Sequence, residues 1–354
     1  KLSPGDMVIY TAGTYKGSTI IDATGVSGTE DKPIVFLAMP GQKVTFNASK
    51  TGINIYEAKH VVVDGFVFDN TYGTSGGQGI SMHHSQNVTI RNIETKHNQR
   101  GIFGAQNLQD IAILDSVIHN NNGHGMYIGS RDMPNSNITV KGNLFYENAT
   151  HGMQHNGRVK NLVVEDNVMH SNSHAGLSLI EGVSDSYVRN NVIFNNNKQG
   201  IIFYTYHDTP SSGVKPYPIN NNVVEGNVIW VGKNSWQGNG TSPTEFPAIQ
   251  FNDSTGVGMN GNIIRNNTLV SYRGPVLQFN QSNIASSTRV EGNDMWRAQG
   301  TNDALRVGGS NYGADRLNNF NSLFKNNTFK DPQFKSASVD YYNAPEKFNF
   351  VRVV

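Results

Sequence analysis

The chain has 354 residues, a net charge of +1, 36% hydrophobic residues and no cysteine. The missing cysteine excludes disulfides, thiolate metal sites and a cysteine nucleophile, and the near-zero net charge speaks against a basic nucleic-acid-binding surface. No apolar run approaches the roughly 20 residues of a membrane-spanning helix, so we expect neither a nucleic-acid partner nor a membrane span.

The first 60 residues contain two runs rich in β-branched and aromatic residues, VIYTAGTY and KPIVFLAMPGQKVTF. Such runs, bounded by glycine and proline, are typical of short strands joined by turns. They predict that residues 1–60 form the N-terminal coils of a repetitive β fold.

From residue 79 onward, a glycine followed by an aliphatic residue recurs every 22 to 27 residues. Between these copies lie short alternating runs that end in asparagine, such as NITVKGN and NLVVEDN. A repeat of this length, with short strands and no helical periodicity, predicts a solenoid. We therefore expect an all-β fold, a single right-handed parallel β-helix of about ten or more coils over residues 1–354. The repeat glycines are Gly79, Gly101, Gly125, Gly152, Gly176 and Gly200, and the closing asparagines are Asn92, Asn143, Asn167, Asn191, Asn227, Asn267, Asn293 and Asn327.

Two insertions interrupt this rhythm, at residues 204–221 and 230–247. Insertions in a solenoid become loops on one face, which is often the binding face. Both insertions are rich in aromatic residues that suit sugar stacking, and residues 328–354 predict a C-terminal cap. The candidate substrate contacts in the first insertion are Tyr204, Tyr206, His207 and Asp208.

Neighbouring coils of a parallel solenoid lie about 4.8 Å apart, so residues at one offset from the repeat glycine form a column. The residue before the glycine is Arg100, His124 or His151 in three consecutive coils, while Tyr127 and Gln154 stand two residues after it. These positions alternate with aliphatic residues, which predicts that they face outward together. The glycine is expected to leave room for a ligand beside them.

Three further residues extend the candidate binding surface. His174 and Lys198 each lie one residue ahead of the column position in their coils, and we assign them to substrate binding. His155 stands three residues after its glycine, where neighbouring coils carry apolar residues. Two interpretations of His155 stay open, an interior stacked histidine or a substrate contact.

The N-terminal runs and the N-x-I/V-x-x-N rhythm resemble the bacterial right-handed β-helix proteins that act on polysaccharides. In the alginate lyases and epimerases of this group, a histidine directly before the repeat glycine takes part in catalysis, and His124 and His151 match that position. The Asp-Pro-His motif of the epimerases is absent. The resemblance implies an extracellular or periplasmic, monomeric enzyme that acts on a polysaccharide. It implies no certain cofactor, although some members use Ca²⁺.

The first chemical interpretation is β-elimination on a uronic-acid polymer. This reaction needs a cation beside the carboxylate, a base for the C5 proton and an acid for the leaving oxygen. Arg100 supplies the cation, His124 or His151 the base, and Tyr127 the acid.

The second interpretation is glycoside hydrolysis. The stretch GHGMYIGS resembles the Gly-His-Gly element of β-helix polygalacturonases, but Gln99 and Arg100 stand where those enzymes carry paired aspartates. A different carboxylate pair, Glu181 and Asp208, falls in adjacent coils and offers the two carboxyl groups that hydrolysis requires. A third interpretation is a sugar-binding or tailspike-like β-helix without catalysis.

A metal site built from His124, His151, His174 and Glu181 is the weakest alternative. Imidazole and carboxylate groups do bind zinc and similar ions. These four residues lack the short ligand spacing of known metal motifs, so no metal ligands are assigned.

Overall fold

The computed structural model describes residues 1–70, 77–206, 216–232, 246–299 and 303–332. It is all-β, with 55% strand and 3% helix, and its strands form a parallel solenoid of about 10 turns. The predicted fold class is therefore confirmed. The chain divides into two compact units, Lys1–Val168 and Met169–Val354.

The first unit is a stack of short strands joined by tight turns. Each turn contributes up to three strands, and each strand pairs in parallel with its equivalents in the turns before and after it, as β7–β10–β13, β8–β11–β13 and β9–β12–β14 do. The strands of this unit are β1 (Met7–Tyr10), β2 (Gly13–Asp22), β3 (Ile34–Ala38), β4 (Val44–Tyr56), β5 (Lys59–Asp64), β6 (Val67–Asp69), β7 (Gln78–His83), β8 (Gln86–Arg91), β9 (Glu94–Lys96), β10 (Arg100–Ala105), β11 (Gln109–Leu114), β12 (Val117–His119), β13 (Met126–Lys141), β14 (Leu144–Tyr146) and β15 (Met153–Glu165).

The second unit repeats this pattern, with parallel stacks such as β17–β21–β24–β27–β30. Its last strand pair differs, because β30 and β31 run antiparallel. The elements are β16 (Val168–His170), β17 (Leu177–Ile180), β18 (Val183–Ser184), β19 (Tyr187–Arg189), β20 (Val192–Phe194), β21 (Ile201–Thr205), β22 (Val223–Glu225), β23 (Val228–Val231), β24 (Ile249–Asp253), β25 (Ile263–Arg265), β26 (Thr268–Ser271), β27 (Leu277–Phe279), α1 (Ser282–Ser287), β28 (Arg289–Glu291), β29 (Asp294–Arg297), β30 (Asp303–Val307), β31 (Ser310–Gly313), a 3-10 turn (Ala314–Arg316), β32 (Phe324–Lys325) and β33 (Thr328–Phe329).

The interior of each unit is filled by every second residue of the strands, as the period of two requires. In β5 the buried residues are Val61 and Val63, and the residues between them are partly exposed. In the second unit, Phe203 and Phe251 stack at 4.4 Å between ring centroids, and Phe251 and Phe279 stack at 5.4 Å. Because equivalent residues lie one above another, the apolar core is a set of continuous ladders.

Buried asparagines form a second kind of ladder at the turns. Asn143 Nδ2 donates to Asn167 Oδ1 at 3.0 Å in the first unit, and Asn227 Nδ2 donates to Asn267 Oδ1 at 2.9 Å in the second. Each amide also bonds backbone groups that would otherwise be buried without partners. The predicted column of closing asparagines is therefore a structural ladder.

Asn92 is the exception, and its predicted place in that ladder is wrong. Its φ is 53°, and its side chain donates to Asp64 on the surface rather than to a stacked amide. It belongs to the column one residue earlier, where Asp115 and Gly142 also have positive φ. Asparagine, aspartate and glycine are the residues that adopt this backbone conformation most readily, which explains why Asn occurs in both columns.

Part of the predicted organisation lies outside the described residues. The parts that the structure does not describe are residues 207–215 and 233–245 of the two insertions and residues 333–354 of the C-terminal cap. A single domain over residues 1–354 stays a prediction, as does a capping role for residues 1–60. In the described part of the chain, no helix is long and apolar enough to cross a membrane.

Candidate active site

The first unit brings five of the predicted site residues together on one side of the solenoid. Strands β10, β13 and β15 align in register, so that Tyr127 stands beside Gln154 in the next turn. His124 and His151 immediately precede the repeat glycines of their turns, and their rings stack with centroids 5.6 Å apart and planes 24° apart. We call Arg100, His124, Tyr127, His151 and Gln154 the histidine shelf.

The shelf faces away from the packed interior. The residues that alternate with it, such as Ile102, Met126 and Met153, are completely buried. Arg100, His124, Tyr127 and His151 are partly exposed, and Gln154 is 7% exposed. The outward orientation predicted from the alternation is therefore present.

Two aromatic rings hold the Arg100 guanidinium on the shelf. Its Cζ lies 5.0 Å from the ring centroid of Phe103 and 5.3 Å from that of Tyr127, and the two rings stack at 6.0 Å. Arg100 Nε is buried and makes no hydrogen bond. Since cation–π contacts fix the guanidinium plane without using its outer N–H groups, these remain suited to bind a carboxylate. Phe103 was not predicted as a site residue.

His124 is oriented by Gln154 and Tyr127. Its Nε2 lies 3.1 Å from Gln154 Oε1, and its ring meets that of Tyr127 edge-on at 5.1 Å. An amide oxygen only accepts hydrogen bonds, so Nε2 carries the proton in this arrangement. The lone pair of the neutral ring is then on Nδ1.

The Tyr127 ring lies over Gly129, which is two residues further along the same strand β13 and has no side chain. A Cβ atom at Gly129 would come within 3.0 Å of Tyr127 Cε1. The ring therefore reaches Asn156 in the next turn, whose Nδ2 donates to the phenol oxygen at 3.1 Å. The hydroxyl proton itself is left to be donated to another acceptor. Asn156 was missed because its contact depends on how the Tyr127 ring lies.

His155 does not belong to the exposed surface, and its assignment to substrate binding is corrected. It lies in register with Ile128 on the interior side of the strands and is 0% exposed. Burial lowers its pKa to about 3, and the nearby carbonyl of Gly157 offsets this only partly. Neither ring nitrogen makes a hydrogen bond of normal geometry. The interior interpretation of His155 is therefore the right one.

The repeat glycine was predicted to leave room for a ligand, but the structure shows that it is required by close packing inside the solenoid wall. A Cβ atom on Gly125 would lie 2.5 Å from the carbonyl oxygen of Gly152 and 2.8 Å from Asn148 Nδ2. Both contacts are inside the solenoid wall, not on the shelf. Glycine is required because the next turn and the asparagine ladder approach the backbone closely, and His124 lies beside it for reasons of register.

Four of the predicted substrate-binding residues lie in the described part of the second unit. His174 and Lys198 are in adjacent turns; burial lowers the pKa of His174, and the charge of Lys198 lowers it further. Tyr204 and Tyr206 stack with centroids 5.7 Å apart, and both are partly exposed. His207 and Asp208 lie outside the described residues.

Glu181 is almost fully enclosed in the second unit. It follows β17 with a positive φ of 50°, and only 2% of its surface is exposed. Its backbone N–H donates to the carbonyl of Tyr204 at 3.0 Å. A catalytic carboxylate must touch substrate, so this burial weakens the case for Glu181 as a catalytic group.

Asp253 is another buried carboxylate of the second unit, and no sequence motif marks it as a site residue. Its two oxygens accept five hydrogen bonds, from the hydroxyl of Thr205, the hydroxyl and N–H of Thr255, and the N–H groups of Gly256 and Gly258. Burial acts to raise the pKa of Asp253, but these hydrogen bonds outweigh it and leave the pKa lowered. These hydrogen bonds make Asp253 the group that holds the turn after β24.

Among the described residues, no group of three or more His, Asp or Glu side chains is arranged to hold a metal ion. These residues therefore do not fit a Ca²⁺ site.

Comparison with solved structures finds the same fold in enzymes that act on polysaccharides. The A-module of a mannuronan C-5 epimerase from Azotobacter vinelandii has a TM-score of 0.61 at 14% identity, over 92% of this chain and 87% of that chain. An alginate lyase from Paenibacillus sp. has a TM-score of 0.53 at 17% identity, over 87% and 93%. The catalytic domain of a GH87 α-1,3-glucanase, in complex with tetrasaccharides, has a TM-score of 0.58 at 16% identity, over 92% and 64%.

These identities establish likeness of fold and do not assign an activity. No curated protein sequence matches this chain. The family model for a right-handed β-helix region matches residues 41–193, which include the whole histidine shelf. The solenoid that carries the shelf is thus a right-handed parallel β-helix, as the sequence predicts.

Proposed function

We propose that this chain is a polysaccharide lyase that cleaves a uronic-acid-containing polymer by β-elimination at the histidine shelf. The observation that carries the proposal is the convergence of a guanidinium, two stacked imidazoles and a phenol on one outward face. These are the three kinds of group that the reaction needs, and they come from three consecutive turns.

In the proposed reaction, Arg100 binds the carboxylate of the sugar and spreads the charge that develops when the C5 proton leaves. His124 acts as the base that removes that proton, and its contact with Gln154 through Nε2 orients the ring. The C4–O4 bond then breaks, a C4=C5 double bond forms, and Tyr127 gives its hydroxyl proton to the leaving oxygen. Asn156 donates to the phenol oxygen and so stabilises the phenolate that remains.

His151 stacks on His124 and completes the acid–base pair. Two imidazolium rings at 5.6 Å would repel each other, so protonation of both rings at once is disfavoured. We assign His151 as the partner that receives or returns the proton between turnovers. A polymeric substrate does not cross membranes, which supports the expected extracellular or periplasmic location. The monomeric state stays a prediction.

The proposal is tested by assaying the wild type on a panel of anionic and neutral polysaccharides and then comparing histidine variants. A lyase leaves an unsaturated uronate that absorbs in the ultraviolet. We expect His124→Ala and His151→Ala to lose at least about 100-fold in rate, the usual scale of acid–base catalysis.

The matched control is His97→Asn. His97 is an exposed histidine of the same unit, paired with Asp69. Its φ is 57°, and asparagine tolerates that conformation. The control is expected to keep full activity. Wild-type activity in His124→Ala and His151→Ala would remove the histidine shelf from the mechanism.

Hydrolysis by the pair Glu181 and Asp208 is the second candidate, which the fold shared with a glucanase favours and the burial of Glu181 disfavours. It predicts a new reducing end without ultraviolet absorbance, and Glu181→Gln would then abolish it. Sugar binding without catalysis is the third candidate, which the Tyr204–Tyr206 stack favours. It predicts retention of polysaccharide without either product.

A further inference from the structure

The histidine shelf is continued toward the N-terminal turns by a line of aromatic side chains that the mechanism does not use. His83 in β7 meets Phe103 with ring centroids 5.4 Å apart. Tyr56 at the end of β4 meets His83 at 6.4 Å and His84 at 5.6 Å. From Tyr56 to His151 there is thus an unbroken series of ring contacts through five consecutive turns.

These rings lie on the same outward side as the shelf. Tyr56 is in register with His83, and His83 is in register with Ala105, the small residue beside Phe103. Tyr56 is 36% exposed, and it is one of few large hydrophobic residues exposed to this extent in the described chain. The Tyr56 ring is thus exposed at the end of the line of rings that leads to the candidate active site.

The chemistry of this segment differs from that of the shelf. Burial lowers the pKa of His83, and the neighbouring His84 lowers it further, so the His83 ring is neutral at neutral pH. The carboxylate of Glu57 lies close enough to raise the pKa of the Tyr56 hydroxyl by its charge and by a hydrogen bond. Neutral rings beside a carboxylate suit the apolar face and the hydroxyl groups of a sugar, and they disfavour a second uronate carboxylate.

We propose that Tyr56, His83 and His84 form a distal sugar-binding site, which holds a polysaccharide chain that runs along the solenoid from the shelf. The inference rests on the proposed function, because it takes the shelf as the place of cleavage. Tyr56 lies three turns from Tyr127, a separation of about 14 Å at the spacing of stacked strands. A disaccharide bound at the shelf does not span that distance, whereas a longer oligosaccharide does.

The test compares binding of a disaccharide and an octasaccharide, prepared from a polymer in which uronic-acid and neutral sugars alternate, by titration calorimetry. The variants are Tyr56→Ala, which removes the ring, and Tyr56→Phe, which keeps it. Tyr187→Ala is the matched control, because Tyr187 is an exposed tyrosine of the second unit at 41%.

We expect Tyr56→Ala to weaken octasaccharide binding by about two- to tenfold, the scale of one aromatic contact. Tyr56→Phe retains most of the affinity, and the Tyr187→Ala control is unchanged. Disaccharide affinity is the same in every variant. Octasaccharide binding that is unaffected by Tyr56→Ala would overturn the site, and so would an equal loss for both lengths or in the Tyr187→Ala control.

Failure of the distal site is distinguishable from failure of the proposed function. If octasaccharide binding depends on Tyr56 but the wild type releases no unsaturated product, the distal site stands and the lyase assignment falls. If unsaturated product forms at equal rates in the wild type and in Tyr56→Ala at every chain length, the lyase stands and the distal site falls. Absence of binding to any oligosaccharide of either length overturns both.

Discussion

Replacing His155 with leucine removes a buried titratable group from the interior of the first unit. Its side chain is 0% exposed and lies in register with Ile128, so an aliphatic residue suits the position. Neither imidazole nitrogen makes a hydrogen bond of normal geometry, and a buried polar group in that state costs about 1–3 kcal/mol. We therefore expect His155→Leu to raise the free energy of unfolding by about that amount at pH 7.

The effect of pH on this difference follows from the pKa of His155, which burial lowers from 6.5 to about 3. Below pH 6.5 His155 is protonated in the unfolded chain, whereas in the folded chain it is protonated only below about pH 3. The free energy of unfolding of the wild type therefore falls as the pH drops through that window. For these two pKa values the loss reaches about 2 kcal/mol at pH 5.

The assay is urea unfolding of the wild type and His155→Leu at pH 7, 6 and 5, because the other titrating groups cancel in the difference. The gap between the two proteins should widen by about 2 kcal/mol from pH 7 to pH 5. His155→Gln, which keeps polarity but does not titrate, should follow the pH dependence of His155→Leu. Parallel curves for wild type and His155→Leu would refute the reasoning.

Three further predictions concern the turns and the shelf. Asn143→Ala should lower the free energy of unfolding by about 3 kcal/mol, because it leaves the buried Ser116 N–H and Ile113 carbonyl without partners. Asn92→Gly, at the exposed position of positive φ, should change the free energy of unfolding by less than about 1 kcal/mol. Denaturant unfolding midpoints measure both changes. Gly129→Ala should displace the Tyr127 ring and lower kcat on any cleaved polymer without lowering the melting temperature appreciably. Phe103→Ala should weaken kcat/KM by about two- to 30-fold, because Arg100 loses one of its two cation–π contacts, and Phe103→Tyr should restore it.

The solenoid was predictable because its signal is repeated. Each turn restates the same alternation and the same glycine, so an error in one turn does not alter the register of the others. That redundancy also brought Arg100, His124 and His151 to one face correctly. A single turn was misaligned at Asn92, because asparagine serves both the buried ladder and the adjacent position of positive φ.

The details of the shelf could not be derived in the same way. Phe103 and Asn156 act through the angle at which an aromatic ring lies across the next turn, and side-chain torsions are not encoded in a repeat. The prediction that Gly125 leaves room for a ligand was wrong for a related reason, because its close neighbour is the backbone carbonyl of Gly152 inside the wall. Column position predicts which residues are neighbours, whereas their contacts require coordinates.

The most direct test of the central claim is cleavage of a uronic-acid polymer in water labelled with heavy oxygen, with the products weighed by mass spectrometry. Elimination breaks the C4–O4 bond without adding water, so we predict unsaturated products that contain no label and that disappear in His124→Ala and His151→Ala. Saturated products that carry one labelled oxygen would contradict the account, because that result belongs to a hydrolase.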